Sequence, residues 1–234
     1  MYKVKLFCLP YAGGSASIYI KWKRYLSDRI ELHPVELAGR GKRMKSMTYS
    51  SLEEVVEDVY KSIRYELNDG VPYAIFGHSM GGMITYELAC KLRELNCRNP
   101  MHVFFSGIYP PHIKRKEKLL HLLSDEEFKD EILKLGGTDK ELFEYKELVE
   151  IFMHLLRADY KIVETGNYFE KDYKLDFDIS ALGGREDADI KVNDLYEWQR
   201  YTNKKCSVHE FDGGHFFVNS DITGVTDVIN RALG

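Results

Sequence analysis

No apolar run in this 234-residue chain approaches the roughly 20 residues needed to span a bilayer. Basic charge is not in excess either. Lys and Arg number 33 against 37 Asp and Glu, a formal net charge of -4, which argues against general nucleic-acid binding by bulk electrostatics. Cysteine is sparse. Cys8, Cys90, Cys97 and Cys206 are scattered without metal-site or disulfide-framework spacing, so free thiols in a reducing compartment are expected, with Cys8 and Cys90 as core filler. Residues 1–10 enter a strand-like segment at once, without signal-peptide architecture, and a cytoplasmic location is the expectation. There are no internal repeats and no low-complexity linker. Apolar residues make up 44% and charged residues 30%, the balance of a globular protein. The length suits one domain, residues 1–234, with a sizeable core.

Strand candidates recur at residues 3–9, 30–37, 73–76, 101–108, 177–182 and 206–211, with helical runs between them. The run at 51–67 carries Leu52, Val55, Val56, Val59, Ile63 and Leu67 on one stripe, and Ser51 with Glu54 reads as a capping box at its start. Alternating elements with near-continuously apolar strands predict a mostly parallel central sheet covered by helices on both faces. Residues 112–173 break the alternation. There Ser124 and Glu127 form a second capping box, opening a helix that ends at Gly136-Gly137, and a further helix runs over residues 140–164 with Leu142, Phe143, Val149, Phe152, Met153, Leu156 and Tyr160. Its apolar residues either pack the insertion on the body or line an acyl channel, and packing is the favoured reading.

The most informative element is Gly77-His78-Ser79-Met80-Gly81-Gly82, which follows the apolar run Tyr73-Ala74-Ile75-Phe76 and precedes residues of helical spacing. A G-x-S-x-G on a strand-to-helix turn is the nucleophile elbow of an α/β-hydrolase. Gly77 and Gly81 would let strand and helix approach where a Cβ would clash. A serine hydroxyl needs a general base and the base an orienting acid, in the chain order Ser, acid, His. Of eight histidines, His215 in Asp212-Gly213-Gly214-His215-Phe216-Phe217 follows the last strand and precedes the helix at 225–233; it is the expected base. His78 is expected to pack or to line the site. The acid should follow the penultimate strand. There Gly184-Arg185-Glu186-Asp187-Ala188-Asp189 offers Asp187, preferred to Asp189 and Glu186, while Asp212 reads as a turn residue. Two backbone donors should form the oxyanion hole: Met80 N–H and, from the loop after the first strand, Ala12 N–H, with Gly13 as the alternative. No Gly-Lys-Ser/Thr follows Gly13-Gly14, so a nucleotide P-loop is not expected.

Taken together the motifs resemble those of type II thioesterases, discrete α/β-hydrolases that accompany nonribosomal peptide and polyketide synthetases. Pro10-Tyr11-Ala12-Gly13-Gly14 resembles their P-x-A-G-G element and Glu36-Leu37-Ala38-Gly39-Arg40-Gly41 their E-x-x-G-R-G segment. Gly107-Ile108-Tyr109-Pro110-Pro111, Gly184-Arg185-Glu186-Asp187 and Asp212-Gly213-Gly214-His215 match in family order. Ala188 stands where members often have proline. The resemblance implies an α/β-hydrolase with a helical lid at residues 112–173, a triad of Ser79, Asp187 and His215, and an oxyanion hole from Met80 and Ala12. It implies hydrolysis of acyl or aminoacyl thioesters from the phosphopantetheine arm of carrier proteins, in editing of stalled or misprimed synthetases. No metal or bound cofactor is implied, no nucleic-acid or membrane partner is expected, and a monomer is the default. Carrier proteins are usually acidic, so two basic clusters are docking candidates: Arg40, Lys42, Arg43 and Lys45, and Lys114, Arg115, Lys116 and Lys118. The competing readings are a generic carboxylesterase, a product-releasing thioesterase or acyltransferase with the same triad, and a carrier-binding protein without turnover.

Overall fold

The computed structural model describes residues 3–113, 119–136 and 146–234. The second basic cluster, at 114–118, and the stripe positions Leu142 and Phe143 lie outside the described residues. Strands β1 (Val4–Leu9), β2 (Ile30–Pro34), β3 (Tyr73–His78), β4 (His102–Ser106), β5 (Asp178–Gly184) and β6 (Cys206–Phe211) form one sheet in the order β2-β1-β3-β4-β5-β6. Every pairing is parallel. Register places Leu9 opposite Gly77, His78 opposite Ser106 and Gly184 opposite Phe211, so the carboxyl ends of the strands share one edge of the sheet, where open α/β sheets bind ligands.

The unbroken apolar character of the strands follows from burial on both faces. Phe7, Leu9, Tyr73, Ile75, Val103 and Phe105 point into one core, with α1 (Leu52–Leu67) and α2 (Met80–Glu94). Leu6, Cys8, Ala74, Phe76 and Phe104 point into the other, with Tyr19, Trp22 and α7 (Ile222–Leu233). Burying each such apolar side chain contributes about 1.5–3 kcal/mol. Phe105 stacks on Trp198 at 3.9 Å between ring centroids. All six stripe residues of α1 are buried. The capping box at its start is half made: Ser51 Oγ accepts the Glu54 N–H, but the Glu54 carboxylate turns to the N–H and hydroxyl of Ser50. β2 ends at Pro34, three residues short of the expected limit, although the Val35 N–H still reaches the Cys8 carbonyl of β1 at 2.9 Å.

Between β4 and β5 the described chain adds helices and no strand of the sheet. Here α3 (Asp125–Leu135) opens on the expected capping box of Ser124 and Glu127, and α4 runs Lys146–Thr165. Phe128, Ile132, Met153 and Leu156 make a third core inside this insertion. The turn Leu120–Leu122 is stapled to α4: the Glu164 carboxylate accepts the N–H groups of Leu120 (2.7 Å) and His121 (3.1 Å), and Arg157 donates to the carbonyls of His121 (2.8 Å) and Leu123 (2.7 Å). Two short helices, α5 (Val192–Leu195) and α6 (Phe217–Ser220), flank β6.

Candidate active site

Ser79 sits between β3 and α2 with φ 54° and ψ -118°, a strained backbone that costs on the order of 1–3 kcal/mol. Neighbouring glycines make the turn possible. A Cβ on Gly77 would lie 2.1 Å from the Gly81 carbonyl oxygen, and one on Gly81 would lie 2.2 Å from that of Leu9. Ser79 is further held by its N–H on the Ser106 carbonyl (2.8 Å). These distances give the G-x-S-x-G spacing its steric reason, and the elbow is formed as expected.

His215, in the loop after β6, shares a cavity of about 350 Å³ with Ser79. Its Nδ1 lies 2.7 Å from Asp187 Oδ2, in the loop after β5. Asp187 is the acid the structure brings to the histidine. Its other oxygen accepts the N–H groups of Asp189 (2.9 Å) and Ile190 (3.1 Å), and its side chain is 1% exposed. Burial pushes this carboxyl up, but the hydrogen bond and charge of His215 and the two backbone donors outweigh it and hold Asp187 below its ordinary value. Asp189 and Glu186 are exposed, and Asp212 is a solvated turn residue paired with Arg185, as its sequence context implied. With Asp187 ionised beside Nδ1, the other ring nitrogen is the one available to a hydroxyl.

His78 packs beneath the site. Its ring is fully buried 5.2 Å from that of His215, with Nδ1 2.8 Å from Ser106 Oγ. Burial, then the charge of His215, push it well below the usual imidazole range, so it stays neutral. Another buried serine–histidine contact, His102 Nε2 to Ser180 Oγ at 2.9 Å, starts from the first residue of β4, at the amino end of the strand. Neither residue lines the cavity; the contact satisfies two buried polar groups within the sheet.

Met80 and Ala12 both line the cavity, and among the described residues neither backbone N–H meets a protein acceptor. Met80 opens α2, where an N–H has no partner within its own helix. The Gly13 N–H, the alternative donor, is bonded to Asp159 Oδ2 at 2.8 Å. The insertion supplies part of the cavity wall: Leu120, Leu135, Tyr160, Val163 and Tyr168 face it, beside Tyr11, Met83, Ile108 and Phe216 of the body. Packing and lining overlap: Met153 and Leu156 pack into the third core, while Leu120, Leu135 and Tyr160 pack against that core and also line the cavity. Among the described residues no cluster of His, Cys, Asp and Glu is disposed to hold a metal ion.

The first basic cluster divides. Arg40 is 3% exposed and joined to Asp159, and Arg43 makes two hydrogen bonds to Asp58 (2.6 and 2.9 Å). Lys42 and Lys45 are exposed, beside Met44 (58%) and Met47 (90%). Sequence reading did not find Asp159. The signal was there: it is the one carboxylate on the stripe Phe152, Leu155, Leu156, Asp159, Ile162 and Val163, and an acid at a core position needs a buried partner.

A serine on a strained elbow, a histidine after the last strand and an acid after the one before it define an α/β-hydrolase. The thioesterase domain family model matches residues 4–233. Gramicidin S biosynthesis protein GrsT of Aneurinibacillus migulanus is 36% identical over 217 residues, 92% of this chain and 83% of that protein. The medium-chain S-acyl fatty acid synthase thioesterase of Rattus norvegicus is 33% identical over 218 residues, 92% and 81% of the two chains. The solved structure of ClbQ from the colibactin NRPS/PKS pathway has a TM-score of 0.93 at 36% identity and covers 99% of this chain and 97% of that one. The chain belongs to the thioesterase family. No helix among the described residues is long and apolar enough to cross a membrane.

Proposed function

We propose that this enzyme hydrolyses acyl or aminoacyl thioesters held on the phosphopantetheine arm of carrier proteins, clearing stalled or misprimed carriers of a nonribosomal peptide or polyketide synthetase. The observation that carries the reading is the 2.7 Å contact of His215 with Asp187 at the cavity into which Ser79 opens. Ser79 Oγ attacks the thioester carbonyl while His215 takes its proton. The N–H groups of Met80 and Ala12 receive the developing oxyanion. The thiolate leaves with the proton from His215, which next activates water to cleave the acyl–Ser79 ester. This chemistry calls for no metal or bound cofactor. Residues 112–173 act as a lid whose apolar wall receives the acyl chain. Lys42 and Lys45, with Met44 and Met47, offer an acidic carrier a basic and apolar docking face. A cytoplasmic monomer fits these roles.

The test is mass spectrometry of acetyl- and aminoacyl-loaded carrier protein incubated with the enzyme or with Ser79→Ala. Return of the free-thiol carrier with the native enzyme alone is the expected result. A carrier that stays loaded while simple esters are cleaved would instead make the protein a small-molecule esterase.

A further inference from the structure

The segment Glu36 to Gly41 touches none of the reacting groups, yet it is built around the loop that supplies the oxyanion donor. Tyr11 to Gly14 form a turn closed by the Gly14 N–H on the Tyr11 carbonyl (2.9 Å), with Gly13 at φ +75°, the conformation a type II turn requires at its third position. A trans peptide points its C=O and N–H in opposite directions. With the Tyr11 carbonyl inside the turn, the Ala12 N–H is turned outward, and Ala12 lines the cavity.

Two buried side chains hold this turn from outside. Asp159 of α4 accepts the Gly13 N–H at 2.8 Å. Arg40 donates to the Gly14 carbonyl at 3.1 Å and to that of Ala38 at 3.2 Å. The two meet in a bidentate pair of 2.7 and 2.8 Å, with side chains 3% and 2% exposed. The turn is also pressed against α4: a Cβ on Gly13 would lie 2.7 Å from Leu156 Cδ1. A buried ion pair can often be replaced by apolar residues without loss of stability. What an apolar pair cannot supply is a charged acceptor aimed at one amide of the turn and a donor aimed at the next carbonyl.

We propose that Arg40 and Asp159 are a positioning pair that holds the Tyr11 to Gly14 turn in the shape that presents Ala12 N–H, so that the oxyanion hole is complete only while α4 is seated on it. The inference rests on the reading of Ser79 as nucleophile and Ala12 as donor. The pair touches no substrate; it acts through the backbone of Gly13 and Gly14. It also assigns the E-x-x-G-R-G segment a task, since Glu36 accepts the Ala16 N–H (2.9 Å) just beyond the same turn.

The experiment is the double variant Arg40→Met with Asp159→Leu, assayed on a p-nitrophenyl acyl ester beside the native enzyme and Ser79→Ala, with a thermal melt of each. The expected result is a native-like melting temperature, a kcat lower by about 10²-fold, the cost of one oxyanion donor, and a KM within about threefold of native. A stable double variant with native kcat overturns the inference. Should it not fold, Asp159→Asn and Asp159→Ala carry the test below their melting transitions. Both lose the charge, but only Asn keeps an acceptor for Gly13; kcat should survive in Asn and fall in Ala, and equal kcat overturns the inference. Activity surviving in Ser79→Ala would instead remove the catalytic reading on which it rests.

Discussion

Asp187 carries the sharpest choice at the site, because three carboxylates lie within four positions of one loop. Only Asp187 is buried against His215 Nδ1 while taking two backbone N–H groups on its other oxygen. In the proposed mechanism its role is to fix the imidazole tautomer and offset the charge that forms on it. Asp187→Asn should therefore lower kcat by roughly 10³–10⁴-fold with little change in KM, whereas Asp189→Asn should leave kcat within about threefold. Steady-state turnover of a thioester by the two variants checks this, and similar losses in both would return the assignment to open choice. The same loop shows what sequence position could tell. Chain order and the strand before it pointed to this segment, but the choice among neighbours rests on which carboxylate the backbone turns inward.

Among the elements, the elbow is where shape and sequence are most tightly bound. Gly77→Ala would drive a methyl group to 2.1 Å from a backbone oxygen of α2, and neither strand nor helix can withdraw without opening the sheet. A loss of about 3 kcal/mol or more is expected. Gly214, beside His215, is a useful contrast, because a Cβ there meets nothing nearer than 3.8 Å; Gly214→Ala should change stability by under about 1 kcal/mol. Urea denaturation of both measures the difference, and comparable losses would sink the steric account. Helix starts were less legible than helix stripes. Ser51 caps α1 as expected, but the Glu54 carboxylate finds Ser50 instead, because two serines in succession offer it competing donors.

For the molecule as a whole, buried histidines contribute to the response to acid, beside carboxylates such as Asp58 and Asp187 that are held below their ordinary values. Burial pushes His102 down to about 4, so the folded protein keeps it neutral where the unfolded chain, with a value near 6.5, would protonate it. Between those values the unfolded state binds more protons, and stability is lost as pH falls. No stability is lost above about pH 6.5; the loss grows below it and reaches about 3 kcal/mol once pH is below both values. His78 is shifted in the same direction. His102→Gln, which can keep a hydrogen bond to Ser180, should flatten the decline of melting temperature between about pH 6.5 and pH 4; an unchanged slope would place the acid sensitivity elsewhere.

Local chemistry was enough to specify the parallel sheet, the elbow and the helices of the insertion's described residues, because each is written in short-range pattern: apolar runs, glycines flanking a serine, stripes at helical spacing. Partnership over long distance was not legible in that way. Arg40 reads as a surface cation within a basic run, and Asp159 as one more acid on a helix, until the fold brings positions 119 residues apart to 2.7 Å. The third core and the cavity wall share Leu120, Leu135 and Tyr160, an overlap that only the packing of the insertion reveals. Burial and desolvation belong to the folded arrangement, so the partners of charged groups, the shifts of His78 and His102 and the bond of the Gly13 N–H to Asp159 could be decided only there.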